Sequence, residues 1–217
     1  MYLIITRSFP PEIGGMQNLM WGLANALSKN YMVKVFADFH EKHEDLDKNV
    51  SFSITRVGGI KLFRKYRKAH LINELLKNNE NIKGVIADHW KSLELIKTTK
   101  KKICLIHSKE INHEKGTRLN RRVLNILNNV DNIISNSSYT KNLAIKNGAN
   151  NKKITVINPG VEPTKELDKK LLDKAENILK NKSPRLITVS RFDKRKNHEK
   201  VIMSLRNLKQ IYPNIIY

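Results

Sequence analysis

One cysteine in 217 residues excludes an internal disulfide framework. Cys104 lies in the apolar run Ile103-Cys104-Leu105-Ile106 and reads as a small buried hydrophobe in a reducing compartment. No apolar stretch approaches the roughly 18 residues that a bilayer span needs. The opening Met1-Tyr2-Leu3-Ile4-Ile5-Thr6 is too short for a signal peptide and lacks its basic start. The expectation is a cytoplasmic chain, peripheral attachment to the inner face of the cell membrane remaining open. The sequence also lacks a P-loop, a GxSxG elbow, a GxGxxG fingerprint, zinc-ligand spacing and any zinc-finger or RNA-recognition signature. Aromatics are 6 % of the residues and form no stacking platform, so nucleic-acid binding rests on charge alone and is disfavoured as a partner reading.

Acids are scarce. Lysine and arginine total 41 against 20 acids, a formal charge of +21 that attracts phosphate-bearing partners. Coding bias toward Lys, Asn and Ile is the bland source of part of that charge. The pair Asp45 and Asp47 has the spacing of a cation site but sits in a polar stretch with His43, Glu44 and Lys48, and neither a metal nor a cofactor is expected.

What is present is an α/β alternation. Apolar runs at 2–6, 32–37, 51–57, 84–87, 102–106, 132–135 and 154–157 read as strands. Helical spacing follows at 16–29, 62–76, 119–127 and 138–146, the last with Ser137 as N-cap and Gly148 as its stop. The first 40 or so residues thus form a β-loop-α-β unit of the kind that opens a Rossmann-like parallel sheet. The predicted organisation is an amino-terminal Rossmann-like domain over 1–161 and a lysine-rich linker helix over 162–184. Its stripe Leu167, Leu171, Leu172, Ala175, Ile178 and Leu179 should lean on a core. Residues 185–217 then read as the start of a second Rossmann-like domain, with strands at 185–190 and 214–217 and a helix through Val201, Leu205 and Leu208.

Four places carry candidate chemistry. Gly14-Gly15 lies where a strand hands over to a helix, so backbone amides and the helix dipole can meet a phosphate. His107 and Glu110 follow the strand ending at 106, and His89 follows the strand ending at 87, at the sheet edge where ligands bind in open α/β folds. The loop Ser190-Arg191-Phe192-Asp193-Lys194-Arg195-Lys196-Asn197 has the charge density that a diphosphate requires. Lys61, Arg64, Lys65, Arg67 and Lys68 surround Leu62, Phe63 and Tyr66, a mixture suited either to an anionic bilayer surface or to an ordinary solvated helix face.

The order of these segments, with Phe9-Pro10-Pro11 before Gly14-Gly15-Met16-Gln17, then His107-Ser108-Lys109-Glu110, Asn136-Ser137-Ser138-Tyr139-Thr140, Asn158-Pro159-Gly160-Val161 and Ser190-Arg191 with Lys196, resembles the family-four retaining glycosyltransferases of the GT-B fold, the glycogen-synthase and mannosyltransferase-like superfamily. The resemblance implies an amino-terminal acceptor-side domain facing a carboxyl-terminal donor domain. It implies transfer of a hexose, with retention, from a UDP- or GDP-sugar to a glycan or lipid-linked acceptor of the cell envelope. Under it Gly14 and Gly15 meet the donor diphosphate, and Arg191 and Lys196 neutralise it. His107 contacts the transferred sugar, with Glu110 and His89 in the sugar and acceptor pocket. Front-face attack, in which the departing phosphate helps to deprotonate the acceptor hydroxyl, needs neither a metal nor a protein nucleophile. Two departures stand out: the family's later Glu-x7-Glu segment lies beyond Tyr217, and Asn197 replaces the glycine that many relatives carry after the lysine. A truncated, non-catalytic partner subunit and a basic phosphate- or nucleic-acid-binding α/β module are the competing expectations.

Overall fold

The computed structural model describes residues 1–161 and 166–217, and the chain divides into two compact units, Met1–Glu162 and Pro163–Tyr217. In the first unit, strand β1 (Tyr2–Ile5) leads through a proline-rich turn into α1 (Gly15–Ser28) and β2 (Val33–Asp38). A short helix α2 (Glu44–Lys48), β3 (Ser53–Val57) and the long α3 (Lys61–Asn78) follow, then β4 (Gly84–Ala87), a single-turn α4 (Trp90–Leu93) and β5 (Lys101–Ile106). Helix α5 (Arg118–Asn128), β6 (Asn132–Ser135), α6 (Ser138–Lys146) and β7 (Ile154–Val156) complete it.

All seven strands pair in parallel, in the order β3-β2-β1-β4-β5-β6-β7. Parallel strands buried on both faces read as continuous apolar runs, which is why the runs in the sequence locate them. Side chains alternate across the sheet: Leu3 and Ile5 join one core cluster with Ile72, Trp90, Val123 and Leu127, while Ile4 joins the other with Met20, Ala24 and Phe52. Helices therefore cover both faces, α1 on one and α3, α4, α5 and α6 on the other. Ser137 caps α6 by accepting from the Thr140 amide, and Gly148, at φ +107°, ends that helix region in a conformation side chains rarely adopt. Cys104 is fully buried in β5, and burial pushes its thiol pKa up, so it packs and does not react.

The second unit contains α7 (Lys169–Leu179) and α8 (His198–Ile211). Two expectations are corrected here. The strands at 185–190 and 214–217 reduce to one isolated parallel bridge, Arg185 to Ile216, with Ile187 and Val189 exposed. A parallel strand is stable when neighbours and both faces cover it, and none of the described residues of this unit is buried. The linker helix spans 169–179, shorter than 162–184, and its apolar stripe does not lie on a core: Leu167, Leu171 and Ile178 are exposed. Residues 162–165 of that expected helix lie outside the described residues.

Candidate functional site

The strand order reverses between β1 and β4, and the crevice beyond the carboxyl ends of such strands is where open α/β sheets bind ligands. A buried polar network stitches this point together. Asp88, directly after β4 and 1 % exposed, accepts the Thr6 hydroxyl at 2.7 Å, the Arg7 amide at 3.0 Å and the Ser92 hydroxyl at 3.0 Å. Lys68 reaches inward from α3, donating to the Thr6 carbonyl at 2.6 Å and to the Asp38 carboxylate at the end of β2. Arg64 donates to the other Asp38 oxygen at 3.2 Å. Burial lowers the Lys68 pKa from the ordinary lysine range, against the opposing pull of Asp38.

Above this network opens a cleft of about 430 Å³. Its lining includes the charged residues Arg7, Glu12, Asp38, Lys61, Arg64 and Asp88, together with His40 and His89. Each acid is engaged: Asp38 by Lys68 and Arg64, Asp88 as above, and Glu12 by the Gln17 amide at 2.9 Å. The Arg7 and Lys61 side chains make no hydrogen bond or ion pair to any described residue.

His89 lines the cleft and caps α4, its Nδ1 accepting the Lys91 amide at 3.0 Å. That bond places the single proton of the neutral ring on Nε2, which makes the ring a donor. Burial, with Arg7 and Lys91 adding to it, pushes the imidazole pKa down to about 3, so His89 is neutral through the physiological range.

His107 and Glu110 follow β5 but do not line this cleft. Glu110 turns its carboxylate back onto the His107 amide, and its carbonyl accepts the Trp90 indole N–H at 2.9 Å. Glu110 thus braces the loop, where the sequence reading gives it a place in the pocket wall. Ser108 takes a positive φ of 84° between them, and the Nε2 of His107 is buried without a hydrogen-bond partner among the described residues. A buried polar atom left in that state is costly until something pairs with it.

Gly14 is the N-cap of α1 and supplies no side-chain cap, and the first turn carries no acid. The four leading amides of a helix need partners, and an uncapped, acid-free start leaves them and the dipole to an anion. A Cβ built on Gly15 would meet nothing within 4 Å, so its backbone is open to approach. In the second unit, Arg191 precedes a short 3-10 turn, Lys194–Lys196. Asp193 binds Arg195 at 2.8 Å and its pKa is lowered by that bond, which ties up Arg195 and leaves Arg191 and Lys196 without an acid partner among the described residues. Asp47 pairs with Arg56 at 2.7 Å and with His43 at 3.0 Å, so its carboxylate is committed within the fold.

The basic segment of α3 is corrected in part. Of its five cations, Lys68 is buried and Arg64 and Arg67 bind backbone or Asp38 oxygens, leaving Lys61 and Lys65 beside the exposed Leu62, Phe63 and Tyr66. The residues that sequence reasoning misses are Arg7, Asp38 and Asp88, and Lys68 is read there only as one cation of a basic helix face. The usable signal is a carboxylate at the carboxyl end of a buried strand, which Asp38 and Asp88 both show.

The model of Glycosyltransferase Family 4 matches residues 13–165, well over half of the chain. The chain belongs to that family. Solved structures agree in fold with this family-4 chain. HepE from Anabaena, crystallised with UDP, superposes with a TM-score of 0.71 at 16 % identity, covering 94 % of this chain and 57 % of that one. A glycosyltransferase from Rickettsia africae gives 0.71 at 18 % identity, covering 96 % and 58 %. Sucrose-phosphate synthase from Thermosynechococcus elongatus gives 0.66 at 15 %, covering 94 % and 59 %. The family-4 chain therefore spans less than two thirds of these relatives, and its parallel sheet is the Rossmann-like sheet of GT-B glycosyltransferases. No curated protein matches it.

Proposed function

We propose that the protein acts in glycosyl transfer, moving a hexose with retention from a UDP- or GDP-sugar to a lipid-linked or cell-envelope glycan. The first unit is the acceptor-side domain and residues 185–217 begin the donor-binding half. The observation that carries this reading is the uncapped, acid-free amino terminus of α1 at Gly14-Gly15, with a polar cleft at the adjoining switch point. HepE in complex with UDP-glucose is a relative in fold, and a nucleotide sugar suits the anion-seeking features of this chain.

In this mechanism the Gly14-Gly15 turn offers amides to the donor diphosphate. Arg191 and Lys196 neutralise the charge that builds on the leaving group, and fixed donors aimed at developing charge are commonly the largest catalytic contribution. The orphaned His107 Nε2 gains a partner in the transferred sugar. The departing phosphate accepts the acceptor's hydroxyl proton on the same face, which preserves the anomeric configuration.

Among the described residues no helix is long and apolar enough to cross a membrane. Contact with an anionic membrane surface rests on Leu62, Phe63 and Tyr66 with Lys61 and Lys65.

The test is nucleotide release from UDP- and GDP-sugars in the presence of envelope glycan acceptors. Release that falls about a hundredfold or more in kcat/KM for Arg191→Gln with Lys196→Gln supports the reading. Absence of any nucleotide-sugar contact in saturation-transfer NMR of the full protein removes it.

A further inference from the structure

We propose that Asn147, together with Asn120 and Trp90, positions the loop that carries His107, so that His107 meets the transferred sugar in one fixed orientation. The inference rests on the reading of His107 as the sugar contact and adds the residues that hold it there.

Residues 107–117 join β5 to α5 without a helix or strand of their own. Connecting segments commonly leave their polar groups to water, yet this one is fastened by two buried asparagines. Asn147, at the end of α6 and 9 % exposed, donates from its Nδ2 to the Ile111 carbonyl at 2.8 Å. Asn120, on α5 and 1 % exposed, accepts the Gly116 amide on its Oδ1 at 3.1 Å and donates to the Asn147 carbonyl at 3.4 Å. A third hold comes from Trp90, fully buried on α4, whose indole N–H donates to the Glu110 carbonyl while the Glu110 carboxylate accepts the His107 amide. The same carbonyl meets the Nε2 of His113 at 3.1 Å.

The chemistry of these anchors argues for more than packing. A buried amide side chain needs partners for its polar atoms, and a leucine in its place packs without that demand. What a fully paired polar network adds is a single arrangement, where apolar contacts tolerate several. Here the segment so fixed is the one around His107. Ser108 takes a left-handed φ of 84°, and of the buried side-chain nitrogens and oxygens in residues 107–117 only the His107 Nε2 lacks a partner among the described residues. A loop anchored at Glu110, Ile111 and Gly116 with one open ring nitrogen is ordered before its ligand arrives, and a contact ordered in advance is worth more than one that must be assembled.

The experiment compares the full chain with Asn147→Leu, which keeps the bulk and loses the donor, and with Trp90→Phe, which keeps a ring and loses the N–H. Each is measured below its own melting temperature. The His107 ring, assigned by its disappearance in His107→Gln, is followed by carbon–proton NMR in the free protein and with UDP-glucose or GDP-mannose. Both variants move the His107 resonance, and they lower kcat for nucleotide release about tenfold or more while KM for the nucleotide sugar stays within about twofold. A purely structural staple lowers the melting temperature but leaves the resonance and the kcat of the folded protein where they were. An unmoved His107 resonance in Asn147→Leu overturns the proposal whatever the loss of stability, as does a fall in turnover confined to KM. Trp90→Phe decides on the same two readouts if Asn147→Leu does not fold. Failure of the parent reading is separate: neither nucleotide sugar then binds the unaltered chain or shifts its His107 ring, while the variants still move that ring in the free protein.

Discussion

The Thr6 hydroxyl donates to the Asp88 carboxylate across the junction of β1 and β4, 2.7 Å apart and fully enclosed. The bond lies at the switch point of the sheet, and Asp88 itself lines the cleft there. Removing one partner leaves the other buried without its bond, which costs more than the bond itself contributes.

Asp88→Ala is therefore expected to lower stability by about 3 kcal/mol and Thr6→Val by about 1.5 kcal/mol. Urea unfolding of the two single variants and the double variant forms a cycle, and a coupling of about 1 kcal/mol is the outcome expected for groups in direct contact. Strict additivity would show that the two act independently.

Lys68→Met replaces a buried ammonium with a thioether chain of similar length and leaves Asp38 paired with Arg64. Its cost should be small, within about 1.5 kcal/mol, whereas Lys68→Ala, which also removes the buried stem, should cost about 3 kcal/mol. Thermal melts of both variants give the comparison, and equal losses would mean that the charge, and not the packing of the stem, matters.

His89 gives the fold an acid-sensitive point. The folded imidazole titrates near 3, below its unfolded value, so the unfolded chain binds the extra proton first. The sign follows: stability from this group is complete above about pH 6.5 and is lost as pH falls toward 3. Protonation would break the cap on α4 and set a cation beside Arg7 and Lys91. Between pH 7 and 4 the stability advantage of the native protein over His89→Gln should shrink by about 2 kcal/mol, after allowance for partial solvent screening. Parallel stability curves for the two proteins would refute the assignment.

The exposed Leu62, Phe63 and Tyr66 predict peripheral membrane contact. Sedimentation with vesicles rich in anionic lipid should retain the protein at low salt and release it as salt screens Lys61 and Lys65. Leu62→Ser with Phe63→Ser should abolish retention, and unchanged retention would place the contact elsewhere.

Much of the sheet was readable because its strands are buried on both faces: the runs at 84–87 and 132–135 coincide with β4 and β6. Ser137 and Gly148 marked α6 by capping chemistry that acts locally. Helices α2 and α4 were missed since each is a turn or so long and sits in polar sequence, below the length at which periodicity shows. In the second unit apolar runs such as Leu186 to Val189 looked like strands, but pairing partners are a tertiary matter. The same limit applied to the cleft. His89 was visible as the residue after a strand, whereas Lys68 looked like one more cation on a basic helix face. Only the positions of Thr6 and Asp38 in space turn it into the cleft's support.

The most direct test of the account is the anomeric configuration of the product. The protein is incubated with a UDP- or GDP-hexose and an envelope glycan acceptor, and the first product formed is read by proton NMR. The account predicts nucleoside diphosphate release with the donor's anomeric configuration preserved in the new linkage. An inverted linkage would contradict the front-face mechanism, and no transfer to any such acceptor would contradict the proposed function itself.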